Sequence, residues 1–119
     1  MNIKPVEIKT DDYCIWYEPK SSTAFFQGFL RLDGMAEYQP IMNLLVSAIE
    51  ESDCFNVNLK DLEFLNSSGI SMLSMFVVRV RERGNIQLVL QGSEQVLWQT
   101  KSLKNLQRLM PSLTLEFSS

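Results

Sequence analysis

Leu59-Lys60-Asp61-Leu62-Glu63-Phe64-Leu65-Asn66-Ser67-Ser68-Gly69-Ile70 is where one periodicity in the chain gives way to another. Before it, Asn56-Val57-Asn58-Leu59 alternates polar and apolar residues, and Leu62, Phe64 and Leu65 carry that strand as a short extension into the core. After it, Ile70, Leu73, Phe76, Val77 and Val80 recur at three- and four-residue steps, the spacing of one helical face. The stretch reads as a buried strand turning into a helix at two hydroxyls. Ser67 or Ser68 is the expected cap, because the first N–H groups of a helix have no intrahelical partner. The same N–H groups and the positive end of the helix dipole favour a phosphate, so this junction can both hold and sense one.

Working outward, Val6 to Ile8 and Tyr13 to Tyr17 are short β-prone runs around Asp11-Asp12, and Thr23 to Leu32 is a third, rich in aromatics. Within the third, Gly28 suggests a bulge or a close backbone contact. Ile41, Leu44, Leu45, Ala48 and Ile49 lie on one face of a helix expected from about Glu37 to Ser52-Asp53, with Asp33-Gly34 as the turn leading in and Pro40 near the start. Gly84-Asn85 stops the helix that follows Ser67. Ile86 to Leu90 is a strand broken at Gly92-Ser93, and Leu97, Leu103, Leu106 and Leu109 continue a helical pattern begun at Ser93 or Glu94. Leu113 to Phe117 closes the chain as an alternating strand. Three strands followed by helix, strand, helix, strand, helix, strand predict a single α/β domain over residues 1–119, with a mixed, mostly parallel sheet and three main helices.

Composition narrows the function. The chain has 119 residues, 45% hydrophobic and 21% charged, with a net charge of −3 and a pI near 4.9. One core is expected, and general attraction to nucleic acid or anionic lipid is not. There is no histidine, and Cys14 and Cys54 lack C-x-x-C spacing. That composition excludes a Ser-His-Asp triad and leaves no case for a structural zinc site, so no metal, cofactor or enzymatic chemistry is expected. A serine nucleophile would need a base, and no Ser-x-x-Lys spacing begins at Ser67 or Ser68. The opening residues contain no apolar run of the kind a signal peptide needs, and no membrane insertion is expected; the expected location is the cytoplasm.

The helix after Gly69 carries a second signal. If Ile70, Leu73, Phe76, Val77 and Val80 face the sheet, Ser71, Met75, Val78 and Glu82 fall opposite, with Met72 and Arg79 at the border. Apolar residues on a face that ought to be solvated mark a docking surface, and methionine suits adaptable recognition. Trp16 reads as core and Trp98 as either core or partner contact, while Lys101, Lys104 and Arg108 share one solvated helical face.

The strand, apolar link, Asn66-Ser67-Ser68-Gly69-Ile70 turn and amphipathic helix resemble the signature of STAS domains, the anti-sigma-factor-antagonist family. A cyanobacterial-type branch of STAS-like regulators is resembled through Gly28-Phe29-Leu30-Arg31-Leu32, the same turn, and Lys101-Ser102-Leu103-Lys104-Asn105-Leu106. The family usually carries aspartate, serine, serine or threonine, and glycine at the junction. Its first hydroxyl accepts phosphate from a cognate serine kinase that is also an anti-sigma factor. The resemblance implies a single STAS-like domain with Ser67 as phosphoacceptor and an anti-sigma-type serine kinase, or a related regulatory protein, as partner. With the helix face, it places partner binding at Asn66, Ser68, Gly69, Ser71, Met72, Met75, Val78 and Arg79. Asn66 departs from the usual aspartate, removing a charge while keeping an acceptor oxygen. The alternative implied is a non-phosphorylated STAS adaptor in a transporter-associated or signalling complex.

Overall fold

The computed structural model describes residues 7–118, so Val6 lies outside the described residues. Along the chain run β1 (Glu7–Lys9), β2 (Tyr13–Glu18), β3 (Thr23–Leu30), α1 (Gly34–Ile49), β4 (Cys54–Leu65), α2 (Ser67–Arg83), β5 (Gln87–Ser93), α3 (Leu97–Gln107) and β6 (Thr114–Ser118). All six strands form one sheet in sequence order. β1, β2 and β3 are an antiparallel meander, whereas β3 to β6 pair in parallel. The division follows from connection length. Short turns permit only reversal, and each parallel pair needs a crossover long enough to be a helix.

One contiguous core holds the fold together. Ile15, Ala24, Phe26, Phe55, Val57, Leu59, Leu88 and Leu90 point from the sheet to meet Tyr38, Ile41, Leu45, Leu73, Phe76, Val77, Val80, Leu103 and Leu106 from the helices. Alternate strand residues such as Asn56, Asn58, Gln87 and Gln91 lie on the other face, which the helices leave uncovered. Trp16, expected in the core, sits half-buried on this outer face and stacks on Phe25 with centroids 4.9 Å apart and an interplanar angle of 12°. Its register partner is Phe25, so the pair is a cross-strand contact.

Gly28 has the close backbone contact expected of it. Its φ is 96°, and an added Cβ would stand 2.9 Å from the Tyr13 Cα and collide with the Asp12 carbonyl. That carbonyl accepts from the Phe29 N–H at 2.9 Å.

β4 is longer than its alternation suggests, and the reason lies in its pairing. Between Phe25 and Gln27 on β3, β4 advances from Asn58 to Asp61; between Gly28 and Phe29 it advances from Leu62 to Phe64. Each step inserts one extra residue into β4, a bulge that resets the inward phase. Leu59, Leu62 and Leu65 are therefore all buried although they are three residues apart. The link between strand and helix is strand throughout.

Two helix starts also differ from expectation. α1 begins at Gly34, with Pro40 inside it. Both Pro40 and Ala36, whose carbonyl loses its i+4 donor, are exposed, so water can replace that bond. α3 begins at Leu97 and includes Trp98, because β5 continues through Gly92 and Ser93, paired with Phe117 and Ser118.

Candidate interaction site at the start of α2

The cap of α2 is Asn66, and neither serine serves that role. Asn66 Oδ1 accepts from the Gly69 N–H at 3.0 Å and from the Tyr38 hydroxyl at 2.6 Å, while its Nδ2 donates to the Leu32 carbonyl at 2.8 Å. Its backbone N–H donates to the Leu30 carbonyl at 3.2 Å. One half-buried side chain thus joins the loop after β3, the first turns of α1 and the start of α2. An aspartate here would keep both acceptor contacts but face the Leu32 carbonyl with an oxygen, so the asparagine amide is the chemistry this junction requires. Tyr38 is fully buried, and burial raises its hydroxyl pKa against the smaller opposing effect of the Leu32 N–H.

With Asn66 as cap, Ser67 is the first helical residue and is exposed, and Ser68 is the second and half-buried. Ser67 lies at the end of α2 where unpaired N–H groups collect and where added negative charge is stabilised. Ser71, Met75 and Arg79 are exposed on the helix, Met75 to 50%, and Val78 is half-buried.

Three of the expected contact positions are corrected. Met72 is fully buried, because α1 packs along that flank of α2. Gly69 is buried too, and the surface it admits is internal: a Cβ would press on the Leu65 side chain and stand 2.7 Å from the Tyr38 hydroxyl. Asn66 spends its side-chain groups inside the fold. These residues shape the interior of the junction, and the surface is left to Ser67, Ser71, Met75 and Arg79, with Ser68 and Val78 half-buried at its edge.

Residues outside the turn complete the setting. Beyond Asn58, β4 has no ladder partner on β5. Gln99, fully buried, supplies one: its Nε2 donates to the Leu59 carbonyl and, at 2.9 Å, to the Leu62 carbonyl, and its Oε1 accepts from the Ser93 N–H at 2.8 Å. Trp98 donates its indole N–H to the Leu62 carbonyl at 3.0 Å, which makes it a structural anchor of α3. On the outer sheet face, Phe29 and Phe64 are register partners exposed to 46% and 40%, and the Arg31 guanidinium lies 5.9 Å from the Phe64 ring centroid. Sequence reasoning missed Tyr38 and Gln99. A tyrosine and a glutamine at otherwise apolar helical positions were the available signals, since buried polar side chains need partners.

Among the described residues no group of three or more His, Cys, Asp or Glu side chains could hold a metal ion, and no helix is long and apolar enough to cross a membrane.

No family model and no curated protein matches the chain. Among solved structures, the crystal structure of apo-SiaC from Pseudomonas aeruginosa is similar to it with a TM-score of 0.72 at 9% identity, covering 98% of this chain and 100% of that one. A second structure of SiaC of Pseudomonas aeruginosa gives 0.66 at 12% identity, covering 98% of each. At these identities the shared property is the fold, over its whole length.

Proposed function

We propose that this chain is a regulatory protein-interaction domain that presents the start and outward face of α2 to a protein partner and is switched by phosphorylation of Ser67. The observation that carries the reading is the division of labour at the junction. Asn66 does the capping, so the neighbouring exposed serine is not required to hold the helix. Ser67 therefore has access to a kinase and is free of a structural duty that would keep it unmodified.

The partner in this reading is an anti-sigma-type serine kinase or a related regulatory protein, as the STAS resemblance implies. A phosphate on Ser67 adds about −1.5 to −2 charges at neutral pH at the head of the lane that continues through Ser71 to Met75, changing the contact surface while leaving the core untouched. The domain acts by binding, without catalysis, cofactor or metal. The fold shared with SiaC is consistent with this reading, at the level of fold.

The test is phosphate mapping by mass spectrometry on protein purified from its own cells with phosphatases inhibited, and again after incubation with candidate cognate kinases. Label on Ser67 supports the switch. Label only elsewhere, or none with a kinase proven active on another substrate, leaves the adaptor reading, which the asparagine at 66 favours because kinase recognition of an acidic residue there is lost.

A further inference from the structure

Charge in this acidic chain is unevenly placed. α2, α3 and Arg108 carry six basic residues, Arg79, Arg81, Arg83, Lys101, Lys104 and Arg108, against Glu82 alone; the rest of the sequence has five basic and thirteen acidic residues. All six are exposed. Two are tied down: Arg83 donates to the Glu50 carbonyl at the end of α1, and Arg81 to the Leu109 carbonyl just past α3, at 3.0 Å. These bonds identify α2 as the middle helix, with α1 on one flank and α3 on the other.

At about 100° per residue, Leu97, Lys101, Lys104 and Arg108 form one narrow stripe on α3. The buried side of that helix is Gln99, Leu103 and Leu106, so the stripe points outward. Leu97 heads it at 92% exposure. Beside it, the outward face of α2 holds Ser67, Ser71, Met75 and Val78, with Glu82 at its far end. Both helices follow strands of the same parallel sheet, so they run in the same direction and the two lanes lie side by side. Attraction to the α3 dipole would account for Lys104 in the last turn, but Lys101 stands a turn earlier on the same stripe.

We propose that these two lanes dock an amphipathic helix of a partner protein, its apolar side on Met75 and Val78 and its carboxylates on Lys101, Lys104 and Arg108. The inference rests on the reading of α2 as a partner surface and adds the chemistry of what binds there. Cations at i, i+3 and i+7 match carboxylates one helical turn apart on a facing helix, and the neighbouring lane, uncharged from Ser67 to Val78 and ending at Glu82, matches its apolar side. A polyphosphate or an anionic membrane fits less well, since thirteen acidic residues elsewhere repel an extended polyanion.

The test is a nuclear magnetic resonance titration of the full chain with two stapled helical peptides. They share a leucine stripe and differ in flanking glutamates or flanking lysines. The glutamate peptide is expected to shift the amides of Met75, Val78, Lys101, Lys104 and Arg108, and to weaken with added salt. Lys101→Glu, Lys104→Glu and Arg108→Glu together should reverse the preference, with about tenfold discrimination in favour of the lysine peptide. Circular dichroism of this surface variant checks that it is folded. The proposal is overturned if neither peptide shifts these amides at millimolar concentration, if both bind alike, or if the shifts fall on the outer sheet face. It is also overturned if a single-stranded oligonucleotide or phosphatidylserine vesicles displace the glutamate peptide and bind the same amides more tightly. Capture of native partners with Ser67→Asp and Ser67→Ala bait, run in parallel, separates the two readings. Unequal capture alongside failed peptides removes only the acidic-helix inference, and equal capture alongside successful peptides removes only the phosphoswitch.

Discussion

The Tyr38 hydroxyl donates to Asn66 Oδ1 across 2.6 Å, tying the second turn of α1 to the cap of α2. The same oxygen takes the Gly69 N–H, and the same side chain's amide gives its hydrogen to the Leu32 carbonyl. The position of the Ser67 helix end is therefore set by a three-way junction in which the Asn66 side chain meets one side chain, Tyr38, and two backbone groups.

Asn66→Asp tests that junction directly. It keeps the acceptor for Gly69 and Tyr38 but replaces the donor to Leu32 with an oxygen. A loss of about 1–2 kcal/mol is expected by urea unfolding, and Asn66→Ala, which removes the cap as well, should cost more. Unchanged stability in the aspartate variant would show that the amide bond to Leu32 contributes nothing.

Tyr38→Phe keeps the buried ring and removes one bond, for an expected loss of about 1 kcal/mol near neutral pH. Burial raises the Tyr38 pKa above its ordinary 10.0, so the folded state holds this proton more tightly than the unfolded chain does. Its contribution is intact below pH 10 and is lost as the pH climbs through the raised value. Tyr13, raised by burial and then by Asp12 and Glu37, acts with the same sign. Unfolding measured across this range should show a shallower alkaline decline in Tyr38→Phe than in the parent; identical slopes would contradict the assignment.

Gly69→Ala gains helix propensity of up to about 1 kcal/mol yet drives a methyl group into Leu65 and the Tyr38 hydroxyl. Overpacking should win, with a net loss of about 1–2 kcal/mol. A thermal melt showing stabilisation would mean that Leu65 and Tyr38 move aside at little cost.

Much of the fold is legible in the sequence because alternation and helical spacing report burial on one face at a time. Element order and mixed pairing follow from them. Where a second element covers a flank, a single periodicity falls short. Met72 looks like a border residue on α2 alone and is buried because α1 lies against it. The bulges of β4 are hidden for a related reason: inward leucines three residues apart break the strand's period of two and read as strand only once the pairing with β3 is known. At the junction, the string Asn66-Ser67-Ser68-Gly69 locates the helix end but not its cap. Asparagine and serine cap equally well, and the choice was made by Tyr38 and Leu32, both distant in sequence.

Gln99→Leu examines the other side-chain anchor. It keeps similar bulk but strands the Ser93 N–H and the Leu59 carbonyl, while the Leu62 carbonyl keeps the Trp98 indole N–H. A loss of about 2–4 kcal/mol is expected from buried backbone groups left unpaired. Hydrogen exchange should show the largest local loss of protection at the start of α3 and the end of β5. A neutral effect would indicate that water satisfies these groups.

The most direct measurement for the account as a whole is quantitative affinity purification from the native cell with three baits: the parent chain, Ser67→Ala and Ser67→Asp. If Ser67 is a switch on a partner surface, the parent and alanine baits retain a common protein that the aspartate bait captures at a substantially different level, with all three equally folded. Equal recovery by all three baits would contradict it.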